Sequence, residues 1–190
     1  MGFQDETWWS RVVQPDLHAW YAPADPVRLI AQSLPKDDPD PKALACYGLL
    51  LKDYREHQTQ MLLRFVNGQP VSDATIEFLS WSCDQLSAQG KKVLLMVWDN
   101  ASWHISHKVR TWLRDHNRRV KATQTGIRIV SCLLPIKSPW LNPIEAHWIH
   151  AKRSIAEPER PLTYQEIPER VYAYFECSPE EPLAISKKSS

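Results

Sequence analysis

Glycine is scarce, with five in 190 residues. A loop that cradles phosphates needs clustered glycines so that backbone N–H groups can approach the anion. No such cluster exists, which argues against a nucleotide-hydrolysing motor. Cysteine is equally thin. Cys46, Cys83, Cys132 and Cys177 are scattered with no CxxC spacing, so neither a zinc ribbon nor a redox motif is indicated. They read as small hydrophobes filling core space. No apolar run approaches the roughly 20 residues needed to cross a bilayer; the stretch Val93–Trp98 is far too short. Residues 1–9 lack the basic start and apolar middle of a signal peptide. The expectation is a soluble, cytoplasmic protein with no membrane contact. Neither sign of charge dominates, since 23 Lys and Arg face 22 Asp and Glu. The total therefore advertises no nucleic-acid partner.

What is present is more informative. A 43% hydrophobic content over this length supports one domain with a substantial core. Charge is segregated. Lys108, Arg110, Arg114, Arg118, Arg119 and Lys121 lie in a stretch whose one acid is Asp115, whereas residues 157–181 carry seven acids against two Arg. A basic tract of this kind can neutralise phosphates, or it can be the solvated face of a helix.

Residues 1–6 read as a short strand ending in two acids, with a second extended piece over 8–13. Residues 15–41, rich in Pro and Asp, read as loop with some strand near 18–21. Two apolar runs, 43–51 and 58–66, predict a strand hairpin. Ile76, Leu79, Cys83 and Leu86 recur at helical spacing after Ser72, and Gly90 closes that helix. Val93–Trp98 is a buried strand by its continuous hydrophobicity. A second helix is expected over 102–117, with Ile105, Val109, Trp112, Leu113 and His116 inward. A strand over 127–134, a third helix from Asn142-Pro143 with Ile144, Trp148, Ala151 and Ile155 on one face, and a last helix over 164–176 complete the order. The pattern implies an α/β fold, a mixed central sheet with helices on both faces.

Three acids stand at element ends: Asp5, Asp99 and Glu145. Asp is disfavoured inside strands. Carboxylates converging on one sheet edge, however, can hold two divalent ions that clamp the attacking and leaving oxygens of a phosphodiester. Hard oxygen ligands suit Mg²⁺ or Mn²⁺. Each acid also has a plainer reading. Asp5 can terminate a strand. Asp99, before Asn100-Ala101-Ser102, can be a turn residue or help to cap the next helix. Glu145 sits third in a good helix start, with Asn142 as cap and Pro143 at the first position.

The words around these acids are Phe3-Gln4-Asp5-Glu6-Thr7, Trp98-Asp99-Asn100-Ala101-Ser102-Trp103-His104, and Ser138-Pro139-Trp140-Leu141-Asn142-Pro143-Ile144-Glu145. Together, and in this order, they resemble the signature blocks of DDE-superfamily transposases, in particular bacterial insertion-sequence relatives of the mariner group. The resemblance spans residues 3–153. It implies an RNase H-like fold and a DNA transposase: metal-dependent cleavage of transposon ends, then 3′-hydroxyl attack on target DNA. Asp5, Asp99 and Glu145 would hold two Mg²⁺ or Mn²⁺ ions. Glu6, Asn100, His104 and Asn142 would support them, Glu6 by indirect ligation or by holding a basic residue, and Asn142 by orienting the helix of Glu145 through its cap. His104 has two readings, approach to the scissile phosphate or packing at the helix start.

Candidate DNA contacts are Lys108, Arg110, Arg114, Lys137, Lys152 and Arg153. The implied partners are transposon ends and target DNA, with a homodimer assembled on paired ends and a location on the bacterial nucleoid. The expected organisation is a catalytic domain over 1–177 and a flexible tail over 178–190, without the helix-turn-helix region that precedes such domains. The alternatives are another RNase H-like nuclease, or a transposon-derived remnant that binds DNA or protein without cutting. The pairs His104/His107 and His147/His150 lack the cysteines or the HExxH word of a zinc site. Among nine tryptophans, Trp8, Trp9, Trp103 and Trp140 lie beside the proposed site, where an aromatic can stack on an unpaired base or simply pack.

Overall fold

The computed structural model describes residues 1–13, 32–54 and 57–184. Six strands form one sheet: β1 (Gly2–Ser10), β2 (Ala43–Asp53), β3 (Gln58–Asn67), β4 (Val93–Trp98), β5 (Arg128–Leu133) and β6 (Leu183–Ala184). Their spatial order is β5-β4-β1-β2-β3-β6. β1, β2 and β3 form an antiparallel meander, while β4 and β5 add in parallel beside β1. Among the described residues four α-helices are interleaved with them: α1 (Ser72–Ala88), α2 (His107–Thr123), α3 (Ile144–Ile155) and α4 (Glu166–Tyr174). The expected mixed sheet with helices on both faces is what the chain forms.

Period-2 alternation sorts the strands between two cores. Leu44, Cys46 and Leu50 of β2 face α3 and α4 with Phe3, Trp9 and Val97. Ala45, Tyr47 and Leu49 face α1 and α2 with Met96 and Trp98. Trp9, Trp98 and Trp148 are fully buried, and each contributes roughly 1.5–3 kcal/mol or more through the apolar surface it removes from water. Trp8 and Trp140 remain exposed.

Several expectations need correction. The first strand does not stop at the acids. It runs unbroken to Ser10 because β2 offers nine consecutive partners, so Asp5 is mid-strand, opposite Gly48, and 8–13 is no separate element. The second helix starts at His107, not 102. Ser106 caps it by accepting from the Val109 N–H (3.2 Å), and residues 101–105 form a tight turn that leaves Ile105 exposed. Cys132 lies exposed on the sheet-edge strand β5 rather than in a core. Within the expected tail over 178–190, Leu183 and Ala184 pair with Val66 and Asn67 as β6. The strand expected near 18–21 falls outside the described residues. No helix among the described residues is long and apolar enough to cross a membrane.

Candidate active site

The parallel pairing of β1 with β4 matches Gly2 to Met96 and Phe3 to Val97. Carried two residues further, the same offset sets Asp5 beside Asp99. β4 ends at Trp98, so the sheet opens there. The chain after β5 turns back over the gap through residues 134–138 and a short 3-10 turn, Pro139–Leu141, and then enters α3. Asp5, Asp99 and Glu145 all line the resulting cleft of about 340 Å³, together with Asn100, Leu134, Lys137 and Asn142.

Glu145 is in the first turn of α3, but neither of its expected capping relations exists. The helix start has no side-chain cap hydrogen bond. Asn142 is buried and its Nδ2 donates to the Gln4 carbonyl (3.1 Å), so it fastens the start of α3 to β1 rather than capping the helix. With no capping duty, the Glu145 carboxylate is left facing the cleft, where burial and then Asp99 push its pKa up against the opposing pull of Lys152.

Asp5 accepts a hydrogen bond from Trp148 Nε1 (3.0 Å). Burial, then the charges of Glu145 and Glu6, nevertheless push its pKa up from 3.8 to about 8. Asp99 behaves oppositely. Its Oδ1 accepts from His104 Nδ1 (2.8 Å) and from the Ala101 N–H (2.9 Å), and the His104 bond holds its pKa below the usual carboxylate range. The turn role anticipated for Asp99 therefore coexists with a place in the cleft. Its Oδ2 has no hydrogen-bond partner among the described residues, and its side chain is half exposed.

His104 is buried between two carboxylates. Its Nε2 lies 2.9 Å from Glu6 Oε1, while Nδ1 reaches Asp99. Burial alone would depress its pKa, but the hydrogen bonds and charges of Asp99 and Glu6 win and raise it to about 9. At neutral pH it is an imidazolium donating from both ring nitrogens. Its ring stacks on Trp98 (4.6 Å between centroids, 23° between planes). Glu6 is further held by Gln4 Nε2 (2.8 Å) and Trp103 Nε1 (3.1 Å). Of the two readings of His104, this geometry is the packed and hydrogen-bonded one, and Glu6 holds a basic residue. Asn100 turns away from the cleft acids to donate to the Leu134 carbonyl (2.6 Å), tying the end of β4 to the end of β5.

The candidate DNA contacts separate. Lys137 lines the cleft in a left-handed conformation (φ 58°). Lys152 lies 5.9 Å from the centroid of the Trp9 ring, and Arg153 is exposed on the same helix. Lys108 pairs with Asp73, and Arg114 with Asp115. Arg110 is exposed on α2. Arg114 also belongs to a different groove, shared with Lys92, Arg118, Lys121 and Arg128 at the starting ends of β4 and β5. A six-residue strand spans about 20 Å, so that groove is far from the acids. Sequence reasoning missed Trp148 and Gly48 as parts of the site. Trp148 registered only as a core position on its helix face.

The donor set suits a hard divalent cation: three carboxylates, two with pKa raised first by burial and then by neighbouring negative charge. Among the described residues no three such side chains are drawn together closely enough to hold an ion as they stand.

A family model described as "DDE superfamily endonuclease" matches residues 50–167. No curated protein matches the chain. Among solved structures, the Mos1 transposase paired-end complex with left transposon end aligns at TM-score 0.63 and 16% identity, over 95% of this chain and 48% of that one. The Mos1 mariner paired end complex with Mn aligns at 0.62 and 16%, over 95% and 49%. The complex with Mg gives 0.60 and 16%, over 92% and 47%. This chain spans about half the length of the solved chains it matches, and the likeness shows the RNase H-like fold.

Proposed function

The chain belongs to the DDE superfamily endonuclease family, and from that premise we propose that it is the catalytic domain of a DNA transposase, cutting transposon ends and joining the freed 3′-hydroxyl to target DNA. The observation that carries the reading is the single cleft lined by Asp5, Asp99 and Glu145, brought from β1, the end of β4 and the start of α3. In this reading the three carboxylates hold two Mg²⁺ or Mn²⁺ ions. When bound, such ions lower the pKa of an attacking hydroxyl and stabilise charge on the leaving oxygen.

The chain's own residues do the rest. The His104 imidazolium, anchored by Glu6, fixes one oxygen of Asp99 and leaves the other toward the cleft. Asn142 and Asn100 fasten the start of the helix that bears Glu145 and the turn that bears Asp99 to neighbouring backbone. Lys137, at the cleft wall, meets the phosphate backbone of the DNA, and Lys152 and Arg153 extend that contact along α3. In this reading Lys108, Arg110 and Arg114 contact DNA outside the cleft. DNA ends, target DNA and a dimer on paired ends are the partners this reading implies, in the bacterial cytoplasm on nucleoid DNA.

The deciding experiment is Mn²⁺ binding and nicking of supercoiled DNA by the purified chain, beside Asp99→Ala and Glu145→Ala. Both activities present in the native chain and lost in folded variants support the assignment. A native chain that binds no divalent ion refutes it.

A further inference from the structure

Two residues outside the three acids converge on Asp5 from different elements. Gly48 is its cross-strand partner on β2. Trp148, one turn into α3 beyond Glu145, is fully buried and donates its indole Nε1–H to Asp5 Oδ2 at 3.0 Å. The two facts are one arrangement. A Cβ built on Gly48 would overlap the Trp148 six-membered ring and come within 3.1 Å of Ile144 Cδ1, so the indole lies over the strand at the one position that carries no side chain. The ring is clamped edge-on by Trp9 (5.9 Å between centroids, 89°) and Phe175 (5.5 Å, 86°). A buried indole needs a partner for its N–H, and here the partner is a carboxylate in the cleft.

We infer that Trp148 is a positioning residue for Asp5, and that Gly48 is glycine because any side chain there would displace the indole. Asp5 sits in mid-strand, where its backbone is fixed but its carboxylate can still rotate about two side-chain bonds. The indole N–H holds Oδ2, which leaves Oδ1 for the cleft. The same helix carries Glu145 as its second residue and Trp148 three residues later, so docking α3 sets one cleft carboxylate directly and another through a hydrogen bond. Outer partners of metal-binding carboxylates act in this way, and losing one typically costs 10–100-fold in metal affinity. This inference rests on the metal-binding reading of the cleft, and the test separates the two.

The experiment measures Mn²⁺ affinity by electron paramagnetic resonance on the native chain, Trp148→Phe, Gly48→Ala and Trp81→Phe, with a urea melt of each. Trp148→Phe keeps an aromatic ring in the clamp and loses the N–H. Trp81→Phe makes the same trim in the opposite core, beside Phe78, away from Asp5 and Trp148, and so controls for packing. The expected result is affinity about tenfold weaker in Trp148→Phe, weaker again in Gly48→Ala, and unchanged in Trp81→Phe. Native affinity in a folded Trp148→Phe overturns the inference. Should the native chain bind no Mn²⁺, the metal reading fails, and the Trp148 indole N–H signal in a ¹⁵N-correlated spectrum decides the positioning alone. A shift and faster solvent exchange on Asp5→Ala uphold it; an unmoved signal overturns it.

Discussion

Replacing Asp5 by Asn stabilises the metal-free protein while abolishing its affinity for divalent ions. Asp5 keeps its proton in the folded chain up to about pH 8, whereas the unfolded chain has lost it above 3.8. Between those values the folded state binds more protons, so stability falls as pH rises through the window and levels off above it. The full displacement corresponds to roughly 5 kcal/mol at 1.36 kcal/mol per unit. Relaxation and water entry at a site that is not fully sealed reduce the observable part to roughly 2–3 kcal/mol. Asn retains an oxygen for the Trp148 N–H but carries no charge, so it escapes this penalty. In EDTA the variant and the native chain have similar stability near pH 4. By pH 8 the variant melts about 5–10 °C higher, as expected for roughly 2–4 °C per kcal/mol at this size. The His104 contribution is present below 6.5 and lost as pH rises toward about 9; it is common to both proteins and cancels in the difference. Saturating Mn²⁺ then raises the melting temperature of the native chain and not that of the variant. Urea and thermal melts from pH 4 to 9 measure all of this. An Asn variant no more stable than native at pH 8 in EDTA refutes the account of Asp5 as an electrostatically loaded group.

Other perturbations test separate links. His104→Ala leaves the nearly fully buried Glu6 with only the neutral donors Gln4 and Trp103 and costs about 3–5 kcal/mol, read by urea denaturation at pH 7. Glu6→Gln removes one of the two carboxylates that hold the imidazolium, so the His104 pKa drops below about 9, measurable by proton NMR of the ring. Arg11→Met breaks a buried guanidinium that bonds both Asp38 oxygens (2.9 Å each) and the Leu162 carbonyl (2.9 Å). A loss of about 2–4 kcal/mol is expected, again by urea melt. Lys137→Ala lowers affinity for duplex DNA and reduces the slope of log K against log salt by about one, whereas Arg153→Ala, further from the cleft, leaves nicking of already bound DNA unchanged.

The parts of this molecule legible in its sequence are those governed by short-range rules. Dense apolar runs marked β2, β3 and β4, and helical spacing marked α1 and α3, because each depends on how one element meets the core. The three acids were legible as a set because their surrounding words are distinctive. What escaped depended on partners distant in the chain. The end of β1 could not be placed without knowing that β2 supplies nine partners for it. Asn142 looked like a cap because Asn before Pro at a helix start usually is one, yet a carbonyl 138 residues away claims its amide. Gly48 carried no local signal, since its reason for being glycine is a tryptophan 100 positions on. Ser106 was the exception that a closer local reading could have found, as a serine directly before a basic amphipathic stretch.

The adjacent acids Asp5 and Glu6 show how the strand itself divides labour. Consecutive residues on a strand face opposite ways. Asp5 therefore joins the layer of α3, through Trp148, and Glu6 joins the layer before α2, through His104 and Trp103. Glu6 does not reach the cleft, but it anchors the imidazolium that holds Asp99. A one-residue slip of β1 against β2 would exchange the two faces, turning the anchor toward the cleft and the cleft acid toward the imidazolium. Nine paired residues and the Asn142 bond to the Gln4 carbonyl oppose that slip. The buried acid pair at mid-strand, costly by strand propensity, is thus tolerated because each member has a dedicated donor on its own side of the sheet.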